Sequence, residues 1–544
     1  MKKESIIKAF FGSSAIMSVV ILGLITIFLF KEGIEFFSQY RQEMNIYRAS
    51  GMEYANVVSK QHDSQTLLFR YIENILSKET RYYDSLSENS PDKKVVKFNK
   101  DNFLKFANTF QQIKDKLLNY EKEVVSWAAE TKLFLNTQTT ILSLKSEAEK
   151  LGLPEEDFNQ SIENLKRAEY FSHSDLERWY YYFIRQDQEN LAKQINSSVG
   201  DESGTEIKGR ISNLITKIQT SYNDQYLAIT KEQTTKFAKL FNDYEGGFSL
   251  LSSETAFGKA KDALGEYLDE IPNYKIRLGQ WNPDSEFPIY RSITSFLLGT
   301  EWVTNSARQD WYGVIPLLSG SLLITLIALI LAIPLGVGSA LYINQVASVK
   351  EQSVIKPCIE FISAIPSVVI GFFGIAVLGG IISQFTDERL NSLTAGCLLA
   401  LMTIPTIFTL AEDALNNVPL ALRDASLSLG ASRWQTCIRI IVPSAITGII
   451  SAVLLGLGRV IGETMVVLLC AGNRIAIPDF SSGLGVFVQP VHTMTGIIAQ
   501  EMGEVEFESI HYRALFMVGV VLFILSLSIN FLSQSLAGRY KANY

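Results

Sequence analysis

The amino-acid sequence predicts an all-α membrane protein with about six transmembrane helices and a mostly α-helical soluble insertion. Charge is the first observation behind this prediction. Residues 1–30 and 314–544 hold 28 charged side chains in 261 positions, whereas residues 31–313 hold 77 in 283 positions. The second observation is a set of long apolar stretches confined to the charge-poor part. A charge-poor part that brackets a charge-rich one is typical of a membrane protein with a large soluble insertion.

The first apolar stretch, residues 10–30, carries no charged side chain. Because an α-helix rises about 1.5 Å per residue and the hydrocarbon core is about 30 Å thick, this length suffices for one crossing. A cleaved signal peptide is the alternative. The stretch exceeds the ~7–15 residues of a signal core, and no small-x-small cleavage site follows it, so we interpret it as an anchor. Five further apolar stretches predict transmembrane helices near residues 315–343, 359–383, 393–411, 444–471 and 514–536.

Lysine and arginine in the short loops predict that both termini lie in the cytoplasm. With that orientation, the cytoplasmic segments carry Lys2, Lys3, Lys8, Lys350, Lys356, Arg423, Arg433, Arg439, Arg539 and Lys541. The short outer segments carry only Arg389, Arg474 and Arg513. Six crossings also return the chain to the side on which it started, so the topology is self-consistent.

Three regions follow from this topology: 1–30 with a cytoplasmic tip and the first transmembrane helix, an extracytoplasmic insertion at 31–300, and a core at 301–544 with five transmembrane helices. The insertion is poor in proline, and segments 103–134 and 175–195 have helix-like apolar spacing, so it is predicted to be mostly helical. The aromatic run from Trp179 to Tyr182 either packs inside a helical bundle, which is the usual place for such a stripe, or forms a binding surface.

Composition argues against several classes of function. The insertion is acidic and the chain has no nucleic-acid-binding motif, so no nucleic-acid partner is expected. The four cysteines, Cys358, Cys397, Cys437 and Cys470, all lie outside the insertion, which therefore has no disulfide framework. The histidines are scattered, and no spacing of either residue type indicates a metal site.

The cytoplasmic loop at residues 412–443 has the pattern of two short helices around a turn. Gly430 is expected to adopt the positive φ that ends the first helix. Pro443 is expected to begin the next transmembrane helix. A compact hairpin of this kind is able to transmit a push as a rigid body; the alternative is an ordinary amphipathic connector.

A pair of opposite charges lies in the fifth apolar stretch. Arg459 and Glu463 are four residues apart, so we expect them on one face of a helix with Cβ atoms about 5–6 Å apart. An arginine at the centre of a membrane helix costs at least ~2.5–3.5 kcal/mol and normally faces a bundle interior or a water-filled path. Two compatible interpretations remain open: the pair locks helices together, or Glu463 holds Arg459 until an anion displaces it.

Glycine and proline mark further positions in the apolar stretches. Gly458 and Gly462 have the spacing that permits close packing of membrane helices. Pro334 predicts a kink in the second transmembrane helix, and Pro366 with Gly371 predicts one in the third.

Residues 424–443 resemble the coupling loop of ATP-binding cassette (ABC) importers, whose pattern is Glu-Ala-Ala, three residues, Gly, nine residues, Ile-x-Leu-Pro. This chain has Asp for Glu, Ser for the second Ala and Val for Leu at matching spacing. The resemblance implies the transmembrane domain of a type I ABC importer, in which this loop docks into a partner ATPase. The residues expected to couple are Asp424, Ala425, Ser426, Gly430, Ala431, Ile440 and Pro443.

The chain has no Gly-x-x-x-x-Gly-Lys-Ser/Thr motif for nucleotide binding. We therefore expect a transport subunit rather than an enzyme, with no bound cofactor. ATP and Mg²⁺ would be held by a separate ATPase chain.

Three strings narrow the resemblance to the phosphate-specific permeases of the PstC type. They are GRVIGETMVVLLCAGN at 458–473, AIPSVVIGFFG at 364–374 and FLLGTEW at 296–302. The resemblance is strong over about 296–544 and weak over 1–30, and it leaves out the insertion, which is far larger than the external segment usual in the family. It implies a multi-pass protein of the bacterial inner (plasma) membrane that imports inorganic phosphate.

The resemblance also implies partners and a substrate path. The partners would be a PstA-like second permease subunit, an ATPase dimer, an extracytoplasmic phosphate-binding protein and the lipid bilayer. Arg459, Glu463 and Thr464 would line the path. Import of another oxyanion, such as sulfate, molybdate or phosphonate, is the nearest alternative. A membrane sensor associated with phosphate signalling is a second alternative and an adhesion or scaffold protein a third, although neither explains the coupling pattern.

Overall fold

The computed structural model describes residues 2–150 and 222–541, apart from 89, 245, 305, 307, 308 and 387, together with Thr216 and Thr220. The segment 175–195, with the aromatic run at Trp179, lies outside these residues. The chain divides into two compact units. The membrane unit comprises Met1–Arg41 and Pro288–Tyr544, and the insertion unit comprises Gln42–Phe287. Each unit is described by itself below.

Helices dominate both units. The first helix, α1, is Lys2–Ala49, and the division between the units falls inside it. The further helices of the insertion unit are α2 (Met52–Ser85), α3 (Lys93–Lys150), α4 (Leu227–Asn242) and α5 (Leu251–Gly279). The described residues of the insertion are mostly helical, as its composition and apolar spacing predicted.

The core of the insertion unit is built on one face of α3. Its apolar side chains recur every three or four residues, which places them on one side of a helix. The buried residues of this face are Phe103, Phe106, Phe110, Ile113, Leu117, Tyr120, Val124 and Ala128. Phe110 stacks on Phe237 of α4 with ring centroids 4.5 Å apart. The predicted spacing in this segment therefore marks a buried face.

A buried carboxylate fixes the start of α5. Glu79 of α2 is 1 % exposed and accepts hydrogen bonds from the backbone N–H groups of Ser249 and Leu250, directly before the helix begins at Leu251. A negative charge at a helix N-terminus pairs with free N–H groups and with the helix dipole. A side chain from another helix thus does what a local capping residue usually does.

The membrane unit continues with a short helix, a two-stranded ribbon and a series of longer helices. The first of these are α6 (Ile289–Leu297), β1 (Trp302–Val303), β2 (Trp311–Tyr312), α7 (Ile315–Gln345), α8 (Val349–Ser363), α9 (Ser367–Phe373) and α10 (Ser392–Asn416). The rest are α11 (Leu420–Ser428), α12 (Arg433–Thr436), α13 (Val442–Ile461), α14 (Met465–Cys470), α15 (Met494–Glu501) and α16 (Ile510–Lys541). β1 and β2 pair in antiparallel fashion, with Trp302 opposite Tyr312.

In the described part of the chain, five helices are long and apolar enough to cross a membrane, or six if one bent pair counts as a single span. The bent pair is Val349–Ser363 with Ser367–Ile382, at an angle of 91°. The apolar stretch predicted near 359–383 therefore contains a sharp bend, and the break falls at the predicted Pro366. Proline lacks the N–H that a continuing helix needs, and Pro366 is extended, with ψ 138°.

Glycines bring α7, α10 and α13 close together, but they are not the predicted pair. A Cβ atom added at Gly396 would lie 2.5 Å from Ile327, and one at Gly456 would lie 2.8 Å from Ile407. A Cβ atom at Gly458 or Gly462 would meet nothing of another helix closer than 4.0 Å. The predicted close packing at Gly458 and Gly462 is therefore wrong, because these glycines lie away from the face that α13 packs on α10.

Pro334 lies inside α7, and the helix runs unbroken through it from Ile315 to Gln345. At the kink predicted in the third transmembrane helix, Gly371 is buried, and an added Cβ atom would lie 2.6 Å from Leu469. Gly371 therefore serves the contact between α9 and α14, while Pro366 makes the bend.

The N-terminal helix packs on the last helix of the chain. Phe28 contacts Phe516 edge to face at 5.6 Å between ring centroids, and Arg513 donates across 2.8 Å to the carboxylate of Glu35. Residues 16–28 of α1 expose most of their apolar side chains. Beyond Glu35, Phe36 packs on Phe296 and Tyr312. The membrane unit therefore includes residues that the predicted boundaries at 31 and 300 assigned to the insertion.

Candidate functional site

The predicted hairpin is present, with α11 and α12 on either side of Gly430. Gly430 has φ +85°, and the Gly430 N–H donates to Leu427 O while the Ala431 N–H donates to Ser426 O. These two bonds form the Schellman motif that closes a helix C-terminus. No neighbour lies within 4 Å of where a Cβ atom would be, so Gly430 is needed for its backbone conformation alone.

Two further sets of hydrogen bonds make the hairpin rigid. Ser432 and Gln435 form a capping box, in which each side chain bonds the backbone N–H of the other residue. The Ser426 and Thr436 hydroxyls are 2.9 Å apart and join the two helices. The prediction of two short helices around a glycine turn is confirmed.

The hairpin exposes apolar side chains that nothing in the described chain covers. None of the residues of α11 is buried. Leu420 is 72 % exposed, Leu429 90 % and Trp434 63 %. Asp424 and Ala425 are also exposed, so the predicted coupling residues at the tip are open to a partner. A rigid loop with exposed apolar side chains is typical of a protein interaction site.

As predicted, Pro443 lies at the start of the next transmembrane helix, in the first turn of α13, which begins at Val442. The helical segment that contains α13 starts at Arg433 and runs through to Ile461, passing a π-helical turn at Cys437–Ile441. Proline is tolerated here because the wide turn, in which Val442 N–H bonds Cys437 O, precedes it. Ile440 and Pro443 therefore lie on the stem that joins the hairpin to α13.

A buried ion pair lies where the hairpin segment begins. Glu412 of α10 is 8 % exposed, and its carboxylate accepts from Lys356 of α8 at 2.5 Å and from Asn416 at 3.2 Å. This pair ties α8 to α10. The pair was not predictable from spacing because the partners are 56 positions apart; the signal available was a carboxylate at the end of an apolar stretch.

Arg459 and Glu463 do not pair, and the prediction that they share one helix face is wrong. α13 ends at Ile461, and Gly462 to Thr464 separate it from α14. Arg459 Nη1 instead donates to Thr406 Oγ1 of α10 at 2.7 Å. Because glycine and threonine are poor helix formers, the break falls between the two charges.

The break leaves Glu463 with a free carboxylate. Within the described residues, the Glu463 side chain makes no hydrogen bond or ion pair, and it is half-buried. Its backbone carbonyl accepts from Thr495 Oγ1 of α15 at 2.8 Å, and Thr464 Oγ1 donates to the Gly462 carbonyl at 3.4 Å. The site thus combines a guanidinium held by one neutral hydroxyl with a carboxylate that does not neutralise it.

Sequence comparisons match the chain to a family of transport proteins. Residues 332–541 match the family described as binding-protein-dependent transport system inner membrane component. The probable ABC transporter permease protein YqgH of Bacillus subtilis (strain 168) is 35% identical over 252 residues, which cover 46% of this chain and 79% of that protein. The phosphate transport system permease protein PstC of Haemophilus influenzae is 30% identical over 278 residues, covering 47% and 83%.

A solved structure of the MetNI methionine ABC transporter, in an inward-facing conformation, is also similar. It has 20% sequence identity and a TM-score of 0.32, and the match covers 42% of this chain and 94% of that one.

The chain therefore belongs to the family of inner-membrane components of binding-protein-dependent transport systems, and it is a multi-pass membrane permease. Within this family it is of the PstC type. The matched residues include the hairpin, Arg459 and Glu463, whereas the insertion unit lies outside the family match.

Proposed function

We propose that this chain is the permease subunit of an ATP-driven, binding-protein-dependent importer of inorganic phosphate. The observation that carries the proposal is the geometry of Arg459. Among the residues that the structure describes, its guanidinium bonds one hydroxyl, on Thr406, which leaves its remaining donors for an oxyanion. A guanidinium fork matches two phosphate oxygens at once. The similarity to PstC permeases supports phosphate as the anion.

A weakly held arginine suits transport better than a tight site. The bond to a neutral hydroxyl costs little to break, so an arriving anion is able to displace Thr406 and leave again. Glu463 lies four residues further on, where its carboxylate would repel the anion and favour release. In this proposal Arg459 receives the anion, Thr406 positions the guanidinium, and Glu463 and Thr464 line the path.

The hairpin couples the permease to a partner ATPase. Its exposed Leu429 and Trp434 would enter a groove on the ATPase, and the coupling residues Asp424 to Ala431 would follow the movement of that groove. The stem at Ile440 and Pro443 would transmit the movement to α13, which carries Arg459. ATP binding would then rock the transmembrane helices between inward and outward access. ATP hydrolysis belongs to the partner chain.

The working assembly would contain this chain, a PstA-like second permease subunit and two ATPase copies in a bacterial inner membrane. An extracytoplasmic phosphate-binding protein would deliver the anion. The orientation derived from Lys and Arg in the short loops places the hairpin in the cytoplasm and the insertion unit outside.

Uptake of labelled phosphate by cells that carry variants of this permease tests the substrate site. Arg459→Ala is expected to lower uptake about tenfold or more, because a charge-assisted hydrogen bond contributes about 1.5–3 kcal/mol. Thr406→Val is expected to have a smaller effect, since the guanidinium itself remains. Arg474→Ala serves as the control, because this arginine lies on an exposed loop.

Unchanged uptake in Arg459→Ala would contradict the site. Competition with unlabelled sulfate, molybdate and phosphonate tests the choice of anion. We expect only phosphate to compete efficiently; equal competition by one of the others would transfer the proposal to that oxyanion.

A further inference from the structure

The insertion unit has a groove along the seam between α3 and α4. Its volume is about 660 Å³, which is within the range of sites for small ligands. The side chains that line it come from one face of each helix: Asn102, Lys105, Phe106, Thr109, Gln112 and Lys116 from α3, and Lys236, Lys239 and Leu240 from α4. Asp243 and Tyr244, which follow α4, also line it.

The groove is basic in an acidic unit. Residues 42–287 hold 31 Lys+Arg and 38 Asp+Glu, a net charge of −7. Among the described residues that line the groove, however, the charged ones are four lysines and one aspartate. Like charges that face one another across a cavity repel, and this arrangement costs stability unless an anion compensates it.

An acidic side chain compensates two of the four lysines that line the groove. Glu232 accepts from Lys116 at 2.7 Å and from Lys236 at 2.5 Å. Hydrogen bonds from these two lysines lower the pKa of Glu232 to about 2, so it stays ionised at any physiological pH. Lys105 and Lys239 form no ion pair with the described side chains, and both are exposed. The uncompensated positive charge is therefore on these two lysines.

The walls of the groove offer neutral hydrogen-bond donors beside the charges. Asn102 and Gln112 carry amide donors, and Thr109 carries a hydroxyl. Beneath them, Phe106 and Tyr244 pack with ring centroids 5.1 Å apart, which fixes the floor of the groove. A rigid floor with mobile ammonium groups above it suits a ligand that is charged along its length.

We propose that this groove binds a short chain of phosphate groups. Each ammonium group is a compact charge that donates to phosphate oxygens from any direction, and four lysines line the groove. The volume exceeds what a single oxyanion needs. It is also a small-molecule cavity rather than the broad surface of at least about 1,000 Å² that a protein partner requires. The inference does not depend on the transport function proposed above.

Isothermal titration calorimetry on the purified full chain in detergent tests the proposal, with sodium tripolyphosphate as the probe. Orthophosphate and a hexaglutamate peptide are titrated in parallel. The double variant Lys105→Gln/Lys239→Gln removes the uncompensated charges, and we expect it to bind tripolyphosphate about tenfold more weakly. The control is Lys259→Gln/Lys261→Gln, which makes the same change of charge at two exposed lysines of α5 outside the groove.

The expected result is that tripolyphosphate binds more tightly than both other probes, that added salt weakens it, and that the control binds like the unmodified chain. Three results would overturn the proposal. An equal loss of tripolyphosphate affinity in the control variant would show that the overall charge of the unit, and not the groove, attracts the anion. Orthophosphate binding as tightly as tripolyphosphate would show a single-anion site. Hexaglutamate binding equally well and losing affinity in the groove variant would show a site for an acidic protein segment.

Discussion

Tyr267 lies at the centre of a polar cluster inside the insertion unit. Its hydroxyl accepts from Gln61 Nε2 at 3.1 Å and from Gln65 Nε2 at 2.6 Å, and all three side chains are buried. Tyr226 donates to Gln61 Oε1 at 2.8 Å, so the cluster joins α5 to α2 and to the turn before α4. Buried polar groups that bond one another specify how helices pack, because any slip leaves them unsatisfied.

Replacing Tyr267 by phenylalanine removes the acceptor that these two amides share. We expect Tyr267→Phe to destabilise the insertion unit by about 1–3 kcal/mol, the usual cost of an unsatisfied buried donor. Hydrogen–deuterium exchange of α2 and α5 in the full chain measures this as faster opening. Tyr71→Phe is the matched control, since that tyrosine is 43 % exposed.

Tyr267 also makes the stability of the insertion unit depend on pH. Burial raises the pKa of Tyr267 from 10.0 to about 12, and the amide hydrogen bonds oppose this only in part. A pKa raised on folding stabilises the fold below the unfolded value, so this contribution is present below pH about 10 and is lost as the pH rises to about 12. Circular dichroism of the full chain measures the loss of stability as a loss of helix between pH about 10 and about 12. In the Tyr267→Phe variant, the part of this loss that is due to Tyr267 should be absent.

At the scale of elements, the hairpin depends on one backbone conformation. Gly430 closes α11 with φ +85° and directs the chain into α12. A residue with a Cβ atom pays about 1–2 kcal/mol in the left-handed region. Since no side chain surrounds Gly430, a substitution there perturbs the conformation without creating a clash.

Gly430→Ala is therefore expected to lower phosphate uptake and recovery of the partner ATPase by about 5–30-fold, if the hairpin must keep this shape to dock. Co-purification of the ATPase with a tagged permease measures the docking directly. Gly503→Ala is the control: this exposed glycine has no neighbour within 4 Å and does not have a positive φ. Wild-type uptake and ATPase recovery in Gly430→Ala would contradict the coupling role of the hairpin.

Elements that depend on the backbone preference of a single residue were predictable from the sequence. A glycine that ends a helix and a proline that breaks one act through their own backbones, so the hairpin and the bend at Pro366 were predictable. The break at Gly462 to Thr464 was not, because three such residues inside an apolar stretch do not exclude a continuous helix. The π-helical turn that joins α12 to α13 was not predicted either.

Side-chain pairs between residues far apart in the chain were not predictable from the sequence, for a different reason. Arg459 bonds Thr406, which is 53 positions earlier, and Lys356 bonds Glu412, which is 56 positions later. Spacing along one helix indicates neighbours three or four positions apart, and only packing between helices brings more distant residues together. The charged residue of the candidate site was therefore predictable, whereas its partner was not.

At the scale of the whole molecule, two units of different composition share one chain. The insertion unit has its own core around Phe110 and Phe237, as an independent domain requires. The family match begins only at residue 332, so the permease fold does not need this unit. We infer that the insertion unit serves recognition, and the docking of the phosphate-binding protein is the role that we expect.

Replacing residues 42–287 by a Gly-Ser linker tests that role, since these are the bounds of the unit. We expect the variant to lose association with the phosphate-binding protein while it still co-purifies with the ATPase. Retained ATPase binding is the control for a folded membrane unit. Unchanged association with the binding protein, together with unchanged uptake, would refute the docking role.

The π-helical turn at Cys437–Ile441 has a consequence for the direction in which the hairpin points. Buried side chains recur at Cys437, Ile441, Ala445 and Ile449, at steps of four residues rather than the 3.6 of a regular helix. Each residue of an α-helix adds about 100° of rotation. Loss of one residue from the turn would restore a regular helix and swing the hairpin about a quarter of a revolution around the axis of α13. A single surplus residue thus sets the direction in which the hairpin, and with it the proposed ATPase contact, points.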